Sequence, residues 1–269
     1  MAPVSPWRQA GRLLALFILA GLALQLYFLL RIALMIGVDP VSTTFERSEA
    51  WRLLTEQGQI AWRQQWVGEA QLGSAIKRAV IASEDANFAT HPGVEWDALR
   101  GAWQRNRKAE AKAERQNQQA EQRAVAQASR KGKSAEAAAA SAPKVAAKVV
   151  GGSTITQQLA KNLFLSGERT ALRKAQEFAI TFMLEGVLSK QRILTIYLNH
   201  VEWGEGVFGA QAAARHYYRV DAQQLGPAQA ARLGVMLPAP KRFEKLPNSA
   251  YLAGRSATTY ARMNAVMLP

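Results

Sequence analysis

Two adjacent carboxylates, Glu84 and Asp85, end a stretch with helical periodicity at residues 74–81, where Ile76, Ala79 and Val80 fall on one side and Lys77 and Arg78 on the other. Acidic side chains in a last helical turn oppose the macrodipole, which favours cations there. A sequence that breaks a local rule marks a place to look for a site. A solvated acidic turn is the plainer account of the pair taken alone. The second chemical candidate is residues 151–162, reading Gly-Gly-Ser-Thr-Ile-Thr-Gln-Gln-Leu-Ala-Lys-Asn. Gly151 and Gly152 allow close backbone approach, and Ser153 or Thr154 can cap a helix that follows. With Ile155 and Leu159 turned inward, Thr154, Gln157, Gln158 and Lys161 share a donor-rich side near a helix N-terminus. That arrangement suits an oxyanion or phosphate, and equally an ordinary capped surface helix. A third pair, Arg173 and Glu177, stands at i and i+4 on a predicted helix.

The elements that must position these groups are helical. Residues 170–188 place Leu172, Ala175, Ala179, Phe182 and Met183 towards a core. Ser189 can cap the next helix, which carries Ile193, Leu194, Tyr197 and Leu198. Residues 204–209 form a glycine-rich turn, 210–218 a small-residue helix, and Gly226-Pro227 opens another helix through Leu237, with proline at its first position and Pro238 and Pro240 beyond it. No alternating strand stands out, so the predicted fold class is mainly α.

At the N-terminus, residues 13–38 are apolar apart from Gln25 and Arg31, long enough for a membrane-spanning helix. Arg8 and Arg12 precede the run and Asp39 follows it, which predicts a cytoplasmic tail at 1–12, an anchor at 13–38, and the remainder outside. Trp51, Trp62 and Trp66 suit either an interfacial position or plain packing. Residues 104–148 change to Ala, Gln, Lys, Arg and Glu, with eleven basic residues against four acidic, half of the chain's net charge of +14. This composition buries too little apolar surface for a domain and reads as a flexible insertion. With no cysteine and three histidines, a disulfide framework, a thiolate centre and a His-rich zinc site are excluded. The basic balance, with pI near 10.4, calls for an anionic partner.

Four blocks in order resemble the peptidoglycan glycosyltransferases, the polymerase domain of bifunctional penicillin-binding proteins. They are Glu84-Asp85-x-x-Phe88-x-x-His91-x-Gly93; Gly151 through Asn162; Arg173-Lys174-x-x-Glu177 running to Leu184-Glu185; and Ile193-Leu194-x-x-Tyr197-Leu198-Asn199 leading to Gly204 and Ala212-Ala213-Ala214. With one anchor, no Ser-x-x-Lys domain and an end at Pro269, the chain is similar to the monofunctional biosynthetic transglycosylases. The resemblance implies a lysozyme-like domain at 45–269 with a membrane-associated jaw lobe, interrupted by the insertion. It implies a periplasmic enzyme of the bacterial inner membrane that joins lipid II to a growing lipid-linked glycan, forming β-1,4 bonds with inversion and releasing undecaprenyl diphosphate.

Carried over residue by residue, Glu84 is the base and Glu177 the second carboxylate. Ser153, Thr154, Gln157, Gln158, Lys161, Arg169, Arg173 and Lys174 hold the sugar-diphosphate, while Asp85, His91 and Asn199 support the site. A divalent cation, Mg or Mn, is implied at the diphosphate, with three roles open to Glu177, namely helping to hold that cation, orienting Arg173 or tuning the site; other cell-wall synthesis or division proteins are implied as partners, and no nucleic acid and no organic cofactor. Thr195 departs from the glutamate frequent at its position, and Arg219-Val220 from an aromatic and a lysine. A membrane-anchored lytic hydrolase would also use paired carboxylates, and a tethered polyanion-binding protein would use the basic insertion.

Overall fold

The computed structural model describes residues 6–132, 134–147, 151–168 and 170–269, and among them it is mostly helical. The first helix, α1 (Pro6–Leu34), has one stretch, Trp7–Leu34, long and apolar enough to cross a membrane. At 1.5 Å per residue it reaches about 42 Å. Its side chains are exposed for most of that length, but Phe28 and Ile32 near its end are buried, Phe28 lying edge-on to Phe164 at 5.3 Å. Gln25, the polar residue within the apolar run, exchanges two amide hydrogen bonds with Gln176, at 2.8 and 3.0 Å.

The chain divides into two units, one formed by Met1–Val94 and Thr154–Pro269, the other by Glu95–Ser153. In the first, α2 (Thr44–Gln57) begins with a Thr43–Glu46 capping box and leads to strand β1 (Arg63–Gln64) and helix α3 (Ser74–Glu84). After the second unit come α6 (Ile155–Phe164), α7 (Ala171–Val187) and α8 (Lys190–His200), numbered after the two helices described below. Strands β2 (Glu202–Gly204) and β3 (Val207–Phe208) follow, then α9 (Ala210–Tyr218), α10 (Pro227–Met236), α11 (Pro240–Lys245) and α12 (Ala250–Arg262). The three strands form a small sheet in the order β1-β3-β2, β1 parallel to β3 and β2 antiparallel to it. Strands of two or three residues are too short for alternation to show in sequence.

The core is built on α3, α8 and α10. Ile76, Val80 and Ile81 of α3 are fully buried, a burial worth roughly 1.5–3 kcal/mol for each side chain. α10 crosses α3 at Gly234, where a Cβ would lie 2.9 Å from the Ala79 carbonyl oxygen, so glycine sets the approach of the two helices. Every residue of α8 from Ile193 to His200 is buried, so this helix runs through the interior instead of along its edge. α7 differs from the inward set predicted for it. Its buried residues are Glu177, Ile180, Thr181 and Leu184, while Leu172 is 82% and Phe182 48% exposed. The helix has rolled to bury its carboxylate at Glu177 and to offer Gln176 to the anchor.

Residues 104–148, expected from composition as a flexible insertion, fall within the second unit. Helix α4 (Trp96–Arg130) runs 35 residues, and the short α5 (Ala135–Ala140) returns beside it. Ala, Gln, Arg, Lys and Glu are strong helix formers, and that intrinsic preference outweighs the shortage of large apolar groups. The buried positions of α4 are the small residues Ala102, Ala113 and Ala128, a stripe that lets the returning backbone lie close. Asn117 fixes it with paired bonds to Val145, Nδ2 donating to the carbonyl at 3.1 Å and Oδ1 accepting from N–H at 2.7 Å.

Candidate active site

Helix α3 ends at Glu84, and Asp85 is its C-cap residue, its N–H reaching the Ile81 carbonyl at 2.9 Å. Asp85 is buried and holds two later parts of the chain. Its Oδ2 accepts from the Ile155 N–H at 3.0 Å, at the start of α6, and its Oδ1 accepts from His91 Nε2 at 2.8 Å. His91 Nδ1 accepts from the Gly93 N–H at 3.1 Å, which puts the ring proton on Nε2 and aims it at Asp85. Gly93 has φ of 84°, and a Cβ there would lie 2.6 Å from Glu185 Cγ, so the turn needs glycine twice over. Asn199 is buried too and clamps Val67 by bonds of 2.9 and 3.0 Å to its N–H and carbonyl.

The polar strip of α6 divides its work. Thr154 caps the helix and donates from Oγ1 to the Gly93 carbonyl at 2.6 Å. Gln157 closes a capping box with Thr154, its Oε1 accepting the Thr154 N–H at 3.0 Å. Both are buried, and of the Gln157 amide only Nε2 lacks a partner among the described residues. Gln158 faces the other way. Its Nε2 donates to Glu84 Oε2 at 2.9 Å, while its Oε1 accepts from the Tyr197 hydroxyl at 2.8 Å, so the phenol on buried α8 orients the amide that holds the carboxylate. Lys161 is exposed on the same helix. Ser153 belongs to the Glu95–Ser153 unit, and Arg169 lies outside the described residues.

Burial pushes the Glu84 carboxyl above the usual range and the neighbouring Asp85 charge adds to this, while the Gln158 hydrogen bond and the Arg255 charge pull the other way. The Tyr197 phenol is likewise pushed up, first by burial and then by the charges of Glu84 and Asp85, and stays a neutral donor. A carboxylate in this state takes a proton more readily than an exposed glutamate.

Thr170 caps α7 by accepting from the Arg173 N–H at 3.1 Å. One turn on, buried Glu177 accepts from Arg173 at 2.9 Å on one oxygen and from Lys174 on the other. The buried Arg173 Nε has no partner among the described residues. With both Glu177 oxygens taken and the open valence a donor, this arrangement accommodates an anion. It does not fit a divalent cation, which needs free oxygen ligands; among the described residues no three His, Asp or Glu side chains cluster to hold one.

Three groups make contacts for which the sequence alone assigned no role. Tyr197 was read as a core residue, since its helical spacing is also that of a packing position. Glu185 accepts from Thr156 at 2.5 Å and from Lys190 at 2.9 Å, and Lys190 also lies over the Phe88 ring at 4.5 Å. Arg255 of α12 reaches the Glu84 field from about 170 residues later, with no local pattern to announce it. A cavity of about 500 Å³ beside Trp66, Ser189 and Arg192, where α1 gives way to the following loop, contains none of the predicted residues.

Comparison with known proteins agrees with the motif blocks. A family model described as Transglycosylase matches residues 52–142 and 128–264. A biosynthetic peptidoglycan transglycosylase of Burkholderia ambifaria (strain MC40-6) is 45% identical over 266 residues, covering 99% of this chain and 94% of that one. Proteins of the same name from Burkholderia orbicola (strain MC0-3) and Cupriavidus pinatubonensis are 46% and 49% identical, covering 93% and 90% of this chain and 87% and 82% of their own. Glu84, the Thr154–Lys161 strip and the Arg173–Glu177 pair thus stand in a helical domain matched along nearly its whole length, and the chain belongs to the transglycosylase family.

Proposed function

We propose that this chain polymerises the glycan strands of peptidoglycan, transferring a growing lipid-linked glycan to the 4-hydroxyl of lipid II. Glu84 removes the proton from that hydroxyl as its oxygen attacks the anomeric carbon of the growing chain. The new β-1,4 carbon–oxygen bond forms on the face opposite the departing diphosphate, which leaves with the electron pair of the bond that breaks. One displacement gives inversion, and the proton rests on Glu84 until solvent takes it. The observation that carries this reading is the Tyr197–Gln158–Glu84 relay, which holds a base of raised proton affinity in one orientation.

Charge grows on the diphosphate as it leaves, and fixed cations lower that barrier without reorganising. Arg173 and Lys174 supply it from the first turns of α7, with Lys161 and Arg169 assigned to the same anion. Glu177 keeps the Arg173 and Lys174 side chains extended between turnovers, and releasing one of them to the substrate is its part in the step. A divalent cation arriving with the diphosphate would meet substrate oxygens and not a preformed protein cage, so no step here runs through a metal. The exposed Leu172 and Phe182, on the helix that pairs with the anchor through Gln176, face the lipid tails in this reading. Orientation with the N-terminus cytoplasmic follows from Arg8 and Arg12.

The test is purified full-length protein in detergent with labelled lipid II, products resolved by length. Polymer formation that Glu84→Gln abolishes is the expected result. Release of fragments from preformed glycan, with no polymer from lipid II, would assign the carboxylates to a lytic reaction instead. Repeating the assay across added Mg²⁺ and chelator reads out the cation. A reporter fused at the C-terminus, active only outside the cytoplasm, reads out the topology.

A further inference from the structure

The chemistry above makes no use of α4, a helix far longer than its neighbours. At about 100° per residue, the charged side chains from Lys108 to Arg130 separate into two faces. Lys108, Lys112, Arg115, Arg123 and Arg130, together with Arg105, fall within a sector of about 80° and extend for roughly 38 Å along the axis. Glu110, Glu114 and Glu121 occupy a narrower sector on the opposite side. All nine are exposed, and among the described residues none of the six cations has a carboxylate within ion-pair distance. The alanine stripe between the faces is covered by the returning segment that Asn117 locks to Val145, so the roll of the helix relative to its own cover is fixed.

We propose that the basic face of α4 is a docking surface for the anionic headgroups of the phospholipid bilayer in which α1 is anchored. Six unpaired cations in a straight line complement a flat, negatively charged surface, with the glutamates turned away from it. Between them the face carries only Gln119 and Ala126, so contact is adsorption at headgroup level and not insertion of apolar groups. The same sector has no aromatic residue on which a base could stack, as a single-stranded nucleic acid partner would require. The anchor supplies the rest of the argument. A chain tethered to a bilayer keeps this face at high effective concentration beside its headgroups.

The absence of cysteine makes the test direct. Gln119→Cys, on the basic face, and Gln118→Cys, off it, each take one fluorophore on the full-length protein in nanodiscs whose headgroups carry a quencher. The expected result is quenching of the label at 119 above that at 118 in discs containing phosphatidylglycerol, lost in discs of phosphatidylcholine alone and in 1 M salt. Replacing Arg105, Lys112, Arg123 and Arg130 by Gln, a good helix former, should weaken the contact about fivefold per cation, with helicity by circular dichroism and polymerisation in detergent unchanged. Quenching that is equal in neutral discs, or that survives both the Gln variant and high salt, would overturn the proposal. So would quenching that appears only on adding glycan or nucleic acid.

Discussion

At the scale of single residues, the site turns on a carboxylate made more basic than its type by where it sits. Its acid form is favoured by burial and by Asp85, and its charged form by Gln158, whose amide Tyr197 keeps pointed the right way. Removing the amide therefore raises the Glu84 affinity for a proton further. In Gln158→Leu the acid limb of the kcat/KM profile should move to higher pH, and Tyr197→Phe should move it the same way by less. A profile unchanged in both would detach the relay from the base. Glu84→Gln should cost roughly 10²–10⁴-fold in polymerisation. The same change should raise Tm near pH 7, because the folded state holds the Glu84 proton more tightly than the unfolded state does. The stability tied to that proton is present in acid and lost as pH rises through the raised value, so the gain from Gln should shrink in acid melts. Glu84 was legible in sequence as a rule-breaking acid beside Asp85. Tyr197 was not, because a residue both buried and hydrogen-bonded carries the same spacing as one merely buried.

At the scale of elements, the sequence showed the helices well where end signals and periodicity agree, as for α8 with its Ser189 cap and α10 with its leading proline. It misjudged α7 and α4, for opposite reasons. The apolar residues of α7 do not all seek the interior of one domain, since Gln176 and the buried Glu177 set its roll. In α4, helix propensity and a small-residue stripe suffice without a conventional core. The turn at Gly93 joins the base loop to α7 through close contact with Thr181 and Glu185, and Gly93→Ala should destabilise the fold by roughly 2–4 kcal/mol in denaturant titration. A second element-level effect lies between α2, β2 and α11. There Lys241 bridges Glu49 and Glu202, and burial together with Glu49 and Glu205 raises the Glu202 carboxyl to about 7 despite Lys241. The raised value means stability present below about pH 4.5 is lost as pH climbs through about 7. Glu202→Gln should accordingly stabilise at pH 8 by roughly 1–3 kcal/mol and do little at pH 5. Equal Tm changes at the two pH values would refute this.

At the scale of the whole molecule, the apolar run at 13–38 was plain from sequence, whereas its engagement with α7 was not, because Gln25 reads simply as a blemish in that run. Reciprocal amide bonds inside an apolar span contribute about 0.6–1.7 kcal/mol. Gln25→Leu and Gln176→Leu should be coupled by that amount in a double-mutant cycle of unfolding in detergent micelles, and additive losses would mean the pair forms no net bond. The two contacts that flank the second unit have a different consequence. Asp85 to Ile155 and Thr154 to Gly93 draw together the chain just before residue 95 and just after residue 153. Everything between those staples is topologically a closed loop. Loop-closure entropy grows only with the logarithm of length, about 0.6 kcal/mol per doubling. A chain staple of this kind makes the intervening segment interchangeable over evolutionary time: it can lengthen, acquire a helix or be cut back to a short connector while the carboxylate pair keeps its registration.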